Sequence, residues 1–432
     1  MADGRLPAQI APANGDTVGL CPHVVSPIDH RLPHCLAAIG TYRRAVTDAT
    51  GESSSSEQRD ERDEIERVTT LELFLDLVFV FTVTQLTELV SGAHPGGDYA
   101  KAALILFFTW WMYDGYVWLT GNVAFHRPSK RLALFVGMGG FLLMAIAIPG
   151  AFGRTAETLS DSGVLFGCAY LVVTVVHATL FKTAPNVSAA AMRRLAPYNV
   201  CAALAVIGAG LMSEDRRWIG WAVGVAVLVF ISIRDGAHGF TVNAAHFAER
   251  HGLVIIIALG ESIVDIGLSA SGLRIDGNLV AAAMLGLALS ATMWWTYFDR
   301  DDQLAESTLT AQEGDRRSSV GLWVAYTHLV MIAGIVVMSA GVKLVVAHPG
   351  SHAASGDAWN LAAGVAIYLL GEAWFGVALG TRGGWRTLVA AALILMTVPL
   401  GTHVSGLAQL GASVVVMVAL IGADRLTRRT PG

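Results

Sequence analysis

From residue 68 onward the chain is a succession of apolar runs, each about long enough to cross a bilayer, separated by short polar breaks. The runs are 68–91, 100–120, 131–151, 163–182, 195–213, 217–234, 251–271, 277–298, 319–346, 358–380, 385–402 and 405–424. A spanning helix needs roughly 20 apolar residues. In hydrocarbon every backbone N–H and C=O must be satisfied within protein, which leaves helices or closed barrels. Continuous runs of this length, without two-residue alternation, select helices. Composition agrees: 54% of residues are hydrophobic, 15% are charged, and mean hydropathy is +0.54, whereas soluble domains carry about a quarter charged residues. The 46 glycines suit close helix packing in lipid. The expected fold is all-α, a polytopic transmembrane bundle of about 12 spans, with 217–234 folded back on 195–213 as a hairpin. The polar stretch from Asp299 to Arg317 is expected as a loop.

Lys and Arg set the orientation. With the N-terminus and the even loops on one side, that side holds 23 of these residues and the other holds 6. The positive-inside rule then puts both termini in the cytoplasm. Residues 1–66, which include GESSSSEQRDERDEIE, are too polar to bury much apolar area and are expected as a disordered cytoplasmic segment. Their start lacks the basic-then-apolar pattern of a signal peptide. Cys21 and Cys35 lie there near His23, His30 and His34, but no compact ligand spacing points to a metal. Cys168 and Cys201 lie in apolar runs and are expected to be buried. No cofactor is expected.

TWWMYDG at 109–115 and MWWTYFD at 293–299 share W-W-x-Y near the same end of a span, 184 residues apart. This spacing divides the chain into six-span halves, 67–234 and 250–424, joined by a connector, 235–249, and followed by a tail, 425–432. An even number of spans per half makes the repeats parallel, a known transporter plan. An aromatic belt at the interface is the competing account of the Trp and Tyr residues alone.

Acids inside apolar runs are the residues with most to explain, because an acid at the bilayer centre costs roughly 2.5–3.5 kcal/mol. In LELFLDLVFVFTVTQL, Glu72 and Asp76 are four apart and share a helix face. In HGLVIIIALGESIVDIG, Glu261 and Asp265 repeat that spacing, with Gly260 expected to admit a close neighbour. His328 is the best-placed histidine for proton exchange. The candidate binding set is therefore Glu72, Asp76, Glu261, Asp265 and His328. Gln85, Asp114, Glu372, Trp110, Trp294 and Tyr297 form a supporting polar core. The alternative is that the acids pair with Arg67, Arg250 or His328 and simply fix packing, with His177 and His403 as packing residues.

No P-loop, dinucleotide fingerprint, HExxH or GxSxG motif is present. Nor is there an Arg-repeat helix or a basic patch interleaved with aromatics, so no nucleic-acid partner is expected. RVTTLELFLDLVFVFTVTQLTEL resembles the opening helix of the bacterial low-temperature-requirement A family of membrane proteins. AERHGLVIIIALGESIVDIG and WWTYFDRDD resemble its two other signatures, in the same order. The matches fall on Glu72, Phe74, Asp76 and Gln85, then on His251, Gly252, Gly260, Glu261 and Ser262, then on Trp294, Trp295, Tyr297 and Asp299. In that family a histidine often stands where Glu88 stands here. The resemblance implies a multi-span inner-membrane protein. It implies no reaction, because the family name records a growth phenotype.

The function expected from these features is a cation- or proton-coupled secondary transporter or permease of an unidentified small solute. Its carboxyl groups are tolerated because they line a hydrated interior route, with Glu72 and Asp76 as a cytoplasmic-side gate or relay. Sealing of the acids by guanidinium partners would remove that basis. A non-transporting scaffold or stress factor is one alternative, and a membrane-embedded enzyme using the acids for general acid/base work on a lipid-like substrate is another. The bilayer is the one certain partner; composition leaves the oligomeric state open. The orientation has a direct test. A reporter active only in the cytoplasm should give signal when fused after residue 425 and none when placed in the 152–162 loop; the reverse pattern would invert the topology.

Overall fold

The computed structural model describes residues 68–92, 97–153, 162–184, 186–299, 301–381 and 384–428. The N-terminal segment 1–66, with its cysteines and histidines, lies outside them. Among the described residues every regular element is helical: α1 (Thr70–Ser91), α2 (Gly97–Thr120), α3 (Pro128–Ala147), α4 (Ser162–Phe181), α5 (Asn186–Leu211) and α6 (Arg217–Asp235), then α7 (Ala244–Ala270), α8 (Gly277–Phe298), α9 (Asp301–Ala311), α10 (Gly314–Ala347), α11 (Ser355–Ala378), α12 (Trp385–Leu395), α13 (Val398–His403) and α14 (Gly406–Arg428).

Eleven segments are long and apolar enough to cross a membrane by length and composition. The twelfth expected span, α2, is as long but less apolar. Burial explains the difference. Ile105, Phe108, Thr109, Tyr113, Tyr116 and Leu119 are fully buried, so much of α2 meets protein rather than lipid and tolerates Lys101 and Asp114. The eleventh span is broken into α12 and α13 at Met396–Thr397, just before Pro399, which lacks an N–H and cannot continue a helix ladder.

Three other sequence expectations give way. The polar stretch after α8 contains the helix α9, which lays Ala305 and Leu309 against α7. Its overall polarity hides that apolar stripe. Cys168 and Cys201 are exposed on the outer surface rather than buried. A Cβ on Gly260 would meet nothing within 4 Å, so no helix approaches there.

Loops gather at the two ends as alternating helices require. At the Arg-rich end, Asn122, Ser188 and Thr241, which follow α2, lie early in α5 and precede α7, are joined by hydrogen bonds. At the other end Tyr99 Oη donates to Asn360 Oδ1 at 2.6 Å, joining the starts of α2 and α11. The neighbour order of the first six spans recurs in the last six. In the first group α1 packs on α2 and α3, α3 on α4, α4 on α5, α5 on α6, and α2 on α6. In the second, α7 packs on α8 and α10, α10 on α11, α11 on α12, α12 on α14, and α8 on α14.

The α10–α11 pair is held by glycines. A Cβ on Gly334 would collide with the backbone of Tyr368, one on Gly341 with Leu361, and one on Gly364 with Met338. Residue numbers rise on one helix as they fall on the other, so the two are antiparallel, with backbones close enough for dispersion to act along their length. Gly364→Leu should force them apart and sharply reduce the folded fraction recovered from membranes, measured by fluorescence-detected size exclusion. Gly356→Leu, where a Cβ meets nothing within 4 Å, should be tolerated.

Candidate functional site

The first helices of the two groups meet through matched polar side chains. Glu72 and Asp76 are four apart on α1; His246 and Arg250 are four apart on α7. Glu72 Oε1 lies 3.0 Å from His246 Nε2. Arg250 Nη1 donates to Asp76 Oδ2 at 2.8 Å, and Nη2 lies 2.7 Å from Oδ1. Both pairings span 174 residues, so α1 and α7 run parallel in register. Asp76 and Arg250 are both 0% exposed. Tyr113 Oη donates to Asp76 Oδ1 at 2.8 Å, and its ring centroid lies 5.8 Å from the Arg250 guanidinium. Glu72 also completes a capping box at the start of α1: its Oε2 accepts from Thr69 N at 2.8 Å while Thr69 Oγ1 accepts from Glu72 N.

A second buried set lies beside the first. His251 Nδ1 is 2.9 Å from Phe247 O, and since a carbonyl only accepts, that nitrogen carries a proton. Its Nε2 lies 3.4 Å from Asp114 Oδ1. Trp118 Nε1 donates to Asp114 Oδ2 at 3.1 Å. The His251 and His328 rings stand edge to face, with centroids 4.8 Å apart. His328 Nδ1 donates to Val324 O at 2.8 Å, which leaves Nε2 to accept from Tyr297 Oη at 2.8 Å. The Trp110 ring bridges the sets, 5.4 Å from Tyr113 and 6.0 Å from His251 between centroids.

Asp114 also lines a cavity of about 80 Å³. The walls come from α2, α4, α5 and α6 on one side and α10 on the other, so the cavity lies between the two helix groups. Trp110, Trp111, Trp118, Phe181, Phe240 and Tyr326 supply aromatic faces. His177, Asn199 and Ser232 add polar atoms, and Gly236 and Ala237 place the cavity at the Arg-rich end.

Glu261 and Asp265 are elsewhere. Glu261 lies eleven positions beyond Arg250 on α7, about 16 Å along the axis. Between them on α7 lie the buried residues Val254, Ile255 and Ala258. Thr84 Oγ1 donates to Glu261 Oε1 at 2.5 Å. Asp265 is 2% exposed, and its Oδ2 has no hydrogen-bond partner among the described residues. Nearer the end of the bundle, Lys343 and Glu88 form an ion pair that joins α10 to α1.

The structure thus gathers Glu72, Asp76, Asp114, His328, Trp110 and Tyr297 into one inner network and keeps Glu261 and Asp265 as an outer pair. Gln85 and Glu372 are partly buried and, like Glu72 and Asp76, do not line the cavity. Trp294 is 43% exposed and faces away from the core. The expected hydrated route does not run past Glu72 and Asp76: a guanidinium and an imidazole close them off. Sequence reasoning missed the His246 and His251 contacts and the cavity wall formed by Trp118, His177, Asn199, Ser232 and Tyr326. HFAERH carried a usable signal, a basic pair with the same four-residue spacing as the acids of α1.

Fold and site together define a polytopic helical membrane protein in which α1 and α7 are joined by a buried Asp76–Arg250 ion pair beside a cavity. The chain belongs to the bacterial low temperature requirement A (LtrA) family, whose pattern it matches over residues 67–422. It is similar to the uncharacterized protein RA0937 of Rhizobium meliloti (strain 1021), with 29% identity over 321 residues that cover 70% of this chain and 75% of that one.

Removing one partner of a buried ion pair costs about 3–5 kcal/mol, whereas replacing both with apolar residues is often near neutral. Arg250→Met and Asp76→Leu should each lower thermal stability in detergent strongly, and the double substitution should recover most of the loss. Additive losses would show that the two side chains are not coupled.

Proposed function

We propose that the protein is a secondary carrier of a small solute, coupled to protons or another cation, with the cavity beside Asp114 as its solute site. The observation that carries this reading is the position of the cavity. It lies between the two helix groups, the place where parallel repeats that rock against each other hold their substrate. The shared W-W-x-Y, the recurring neighbour order and the parallel packing of α1 on α7 support descent of the two groups from one six-span unit. With both termini in the cytoplasm of an inner-membrane protein, the cavity faces the cytoplasm.

In this reading Glu72–His246 and Asp76–Arg250 form the gate that holds the groups together, and the Lys343–Glu88 pair closes the far end. Glu261 and Asp265 bind the coupling cation. A buried carboxylate oxygen without a hydrogen-bond partner, as on Asp265, is costly unless a proton or cation visits it. His328 exchanges protons next to His251 and Asp114. One observation favours a scaffold instead: the acids of α1 are fully paired, as in a rigid core.

Flux separates these readings. Purified protein in liposomes holding a pH-sensitive dye should move protons or sodium in response to members of an amine, amino-acid and sugar panel added with a gradient. Glu261→Gln should abolish coupled movement at unchanged membrane abundance. No solute-dependent movement across the panel, from protein inserted in either direction, would favour the scaffold.

A further inference from the structure

The cavity's hydrogen-bonding inventory is lopsided. All three indole N–H groups in its wall are committed: Trp110 Nε1 donates to Ala325 O at 3.1 Å, Trp111 Nε1 to Asn199 Oδ1 at 3.0 Å, and Trp118 Nε1 to Asp114 Oδ2 at 3.1 Å. Ser232 Oγ and Tyr326 Oη share one hydrogen bond at 2.7 Å, in which one hydroxyl donates and the other accepts. The acceptors are less fully used. Asp114 Oδ1 is buried with no hydrogen-bond partner among the described residues, its nearest cationic candidate being His251 Nε2 at 3.4 Å. His177, 2% exposed, lies 2.8 Å from Gly115 O through Nε2, so that nitrogen is the N–H. Its Nδ1 is then a lone-pair acceptor, and it too is buried without a partner. Asp114 is the single acid among the described lining residues, and no Lys or Arg stands with it.

A ligand for this wall must therefore bring donors and positive charge. Six aromatic side chains around the carboxylate add the faces that attract cations in the absence of water. An anion would meet acceptors and no cation, and a sugar would leave the aromatic wall largely unused. We infer that the cavity takes a primary or secondary ammonium carried on an apolar, ring-sized body, with the ammonium at the partly exposed Asp114 carboxylate and the body against Trp110, Trp111 and Phe240. The Asn199 amide NH2 remains for one acceptor on the ligand. This inference rests on the cavity being the solute site and names the chemical class of solute.

The proposal also fixes what happens at His251. With Nδ1–H given to Phe247 O, the contact between His251 Nε2 and Asp114 Oδ1 is favourable only when one proton lies between them. The titratable groups facing this pair are His328 on α10, against His251, and Tyr113 on α2 and Tyr326 on α10, near Asp114. An ammonium arriving at Asp114 displaces that proton, so one cation enters as one proton leaves, and the charge of the site is unchanged.

The test uses the full-length chain purified in detergent, with 2-phenylethylammonium as probe and binding read by tryptophan fluorescence and calorimetry. The neutral 2-phenylethanol, 3-phenylpropionate and the trimethylated ammonium are comparison ligands. The amine should bind about tenfold or more tightly than any of the three, with release of close to one proton per site in weak buffer. Asp114→Asn, which keeps an acceptor for Trp118, should lower amine affinity by a similar factor. Equal binding of the alcohol or the trimethylated analogue, neither needing any substitution, would overturn the proposal, as would full affinity in a folded Asp114→Asn variant. Asp114-dependent binding without flux from liposomes would uphold this ligand class and defeat the carrier reading. Flux of other solutes without amine binding would do the reverse.

Discussion

The buried pairing of Asp76 with Arg250 is the constraint around which the rest of the bundle is arranged. Neither charge has any exposure, and an isolated charge in such surroundings would cost several kcal/mol. Each is tolerated because the other lies in bidentate reach, with Tyr113 supplying a further donor to the carboxylate. The pair can form only if α1 and α7 lie parallel and in register, and Glu72 with His246 repeats the same register one turn away. Two helix groups separated by a long stretch of chain are thereby fixed at one end. The fit is specific in a way that apolar packing is not, because a slip of one residue would strand both charges.

That clasp has a consequence for the space beside it. With α1 and α7 locked, α2 is drawn into the centre, where its buried face can afford Asp114. Its aromatic residues then split between the core and the cavity wall. The inner network and the outer acids are set apart by apolar side chains on α7, with Phe79 and Val83 on α1 and Ile332 and Ile335 on α10 also buried. Ion pairs thus lie toward both ends of the bundle, Asp76–Arg250 at one and Lys343–Glu88 at the other, with an apolar layer between them.

Much of the architecture was legible in the sequence because lipid imposes one rule on every span. Runs of apolar residues give the helices, although 385–402, expected as one span, breaks just before Pro399. What escaped was governed by neighbours rather than by the local pattern. The helix 301–311 escaped because its average polarity conceals Ala305 and Leu309. Cys168 and Cys201 sit in apolar runs, yet they face outward, since in a membrane an apolar residue is equally at home on either side of a helix. Trp110 and Trp294 occupy the same place in W-W-x-Y, but one is buried and the other exposed. Of the site, Glu72, Asp76 and Glu261 stand out by their cost alone. Of their partners, Arg250 was among the possible pairings named from the sequence, whereas His246 emerges only from a contact across 174 residues. The cavity was not legible, as its wall draws on five helices.

The account rests on a cavity that opens at the Arg-rich end and is sealed from the opposite end in the clasped state. The most direct measurement is thiol labelling of a cysteine-free variant carrying Leu195→Cys or Ala325→Cys in the cavity wall, with a membrane-impermeant reagent applied to inverted and to right-side-out vesicles. The account predicts labelling from the cytoplasmic face in inverted vesicles and protection in right-side-out ones. Equal labelling from both faces, or labelling from the outside alone, would contradict it.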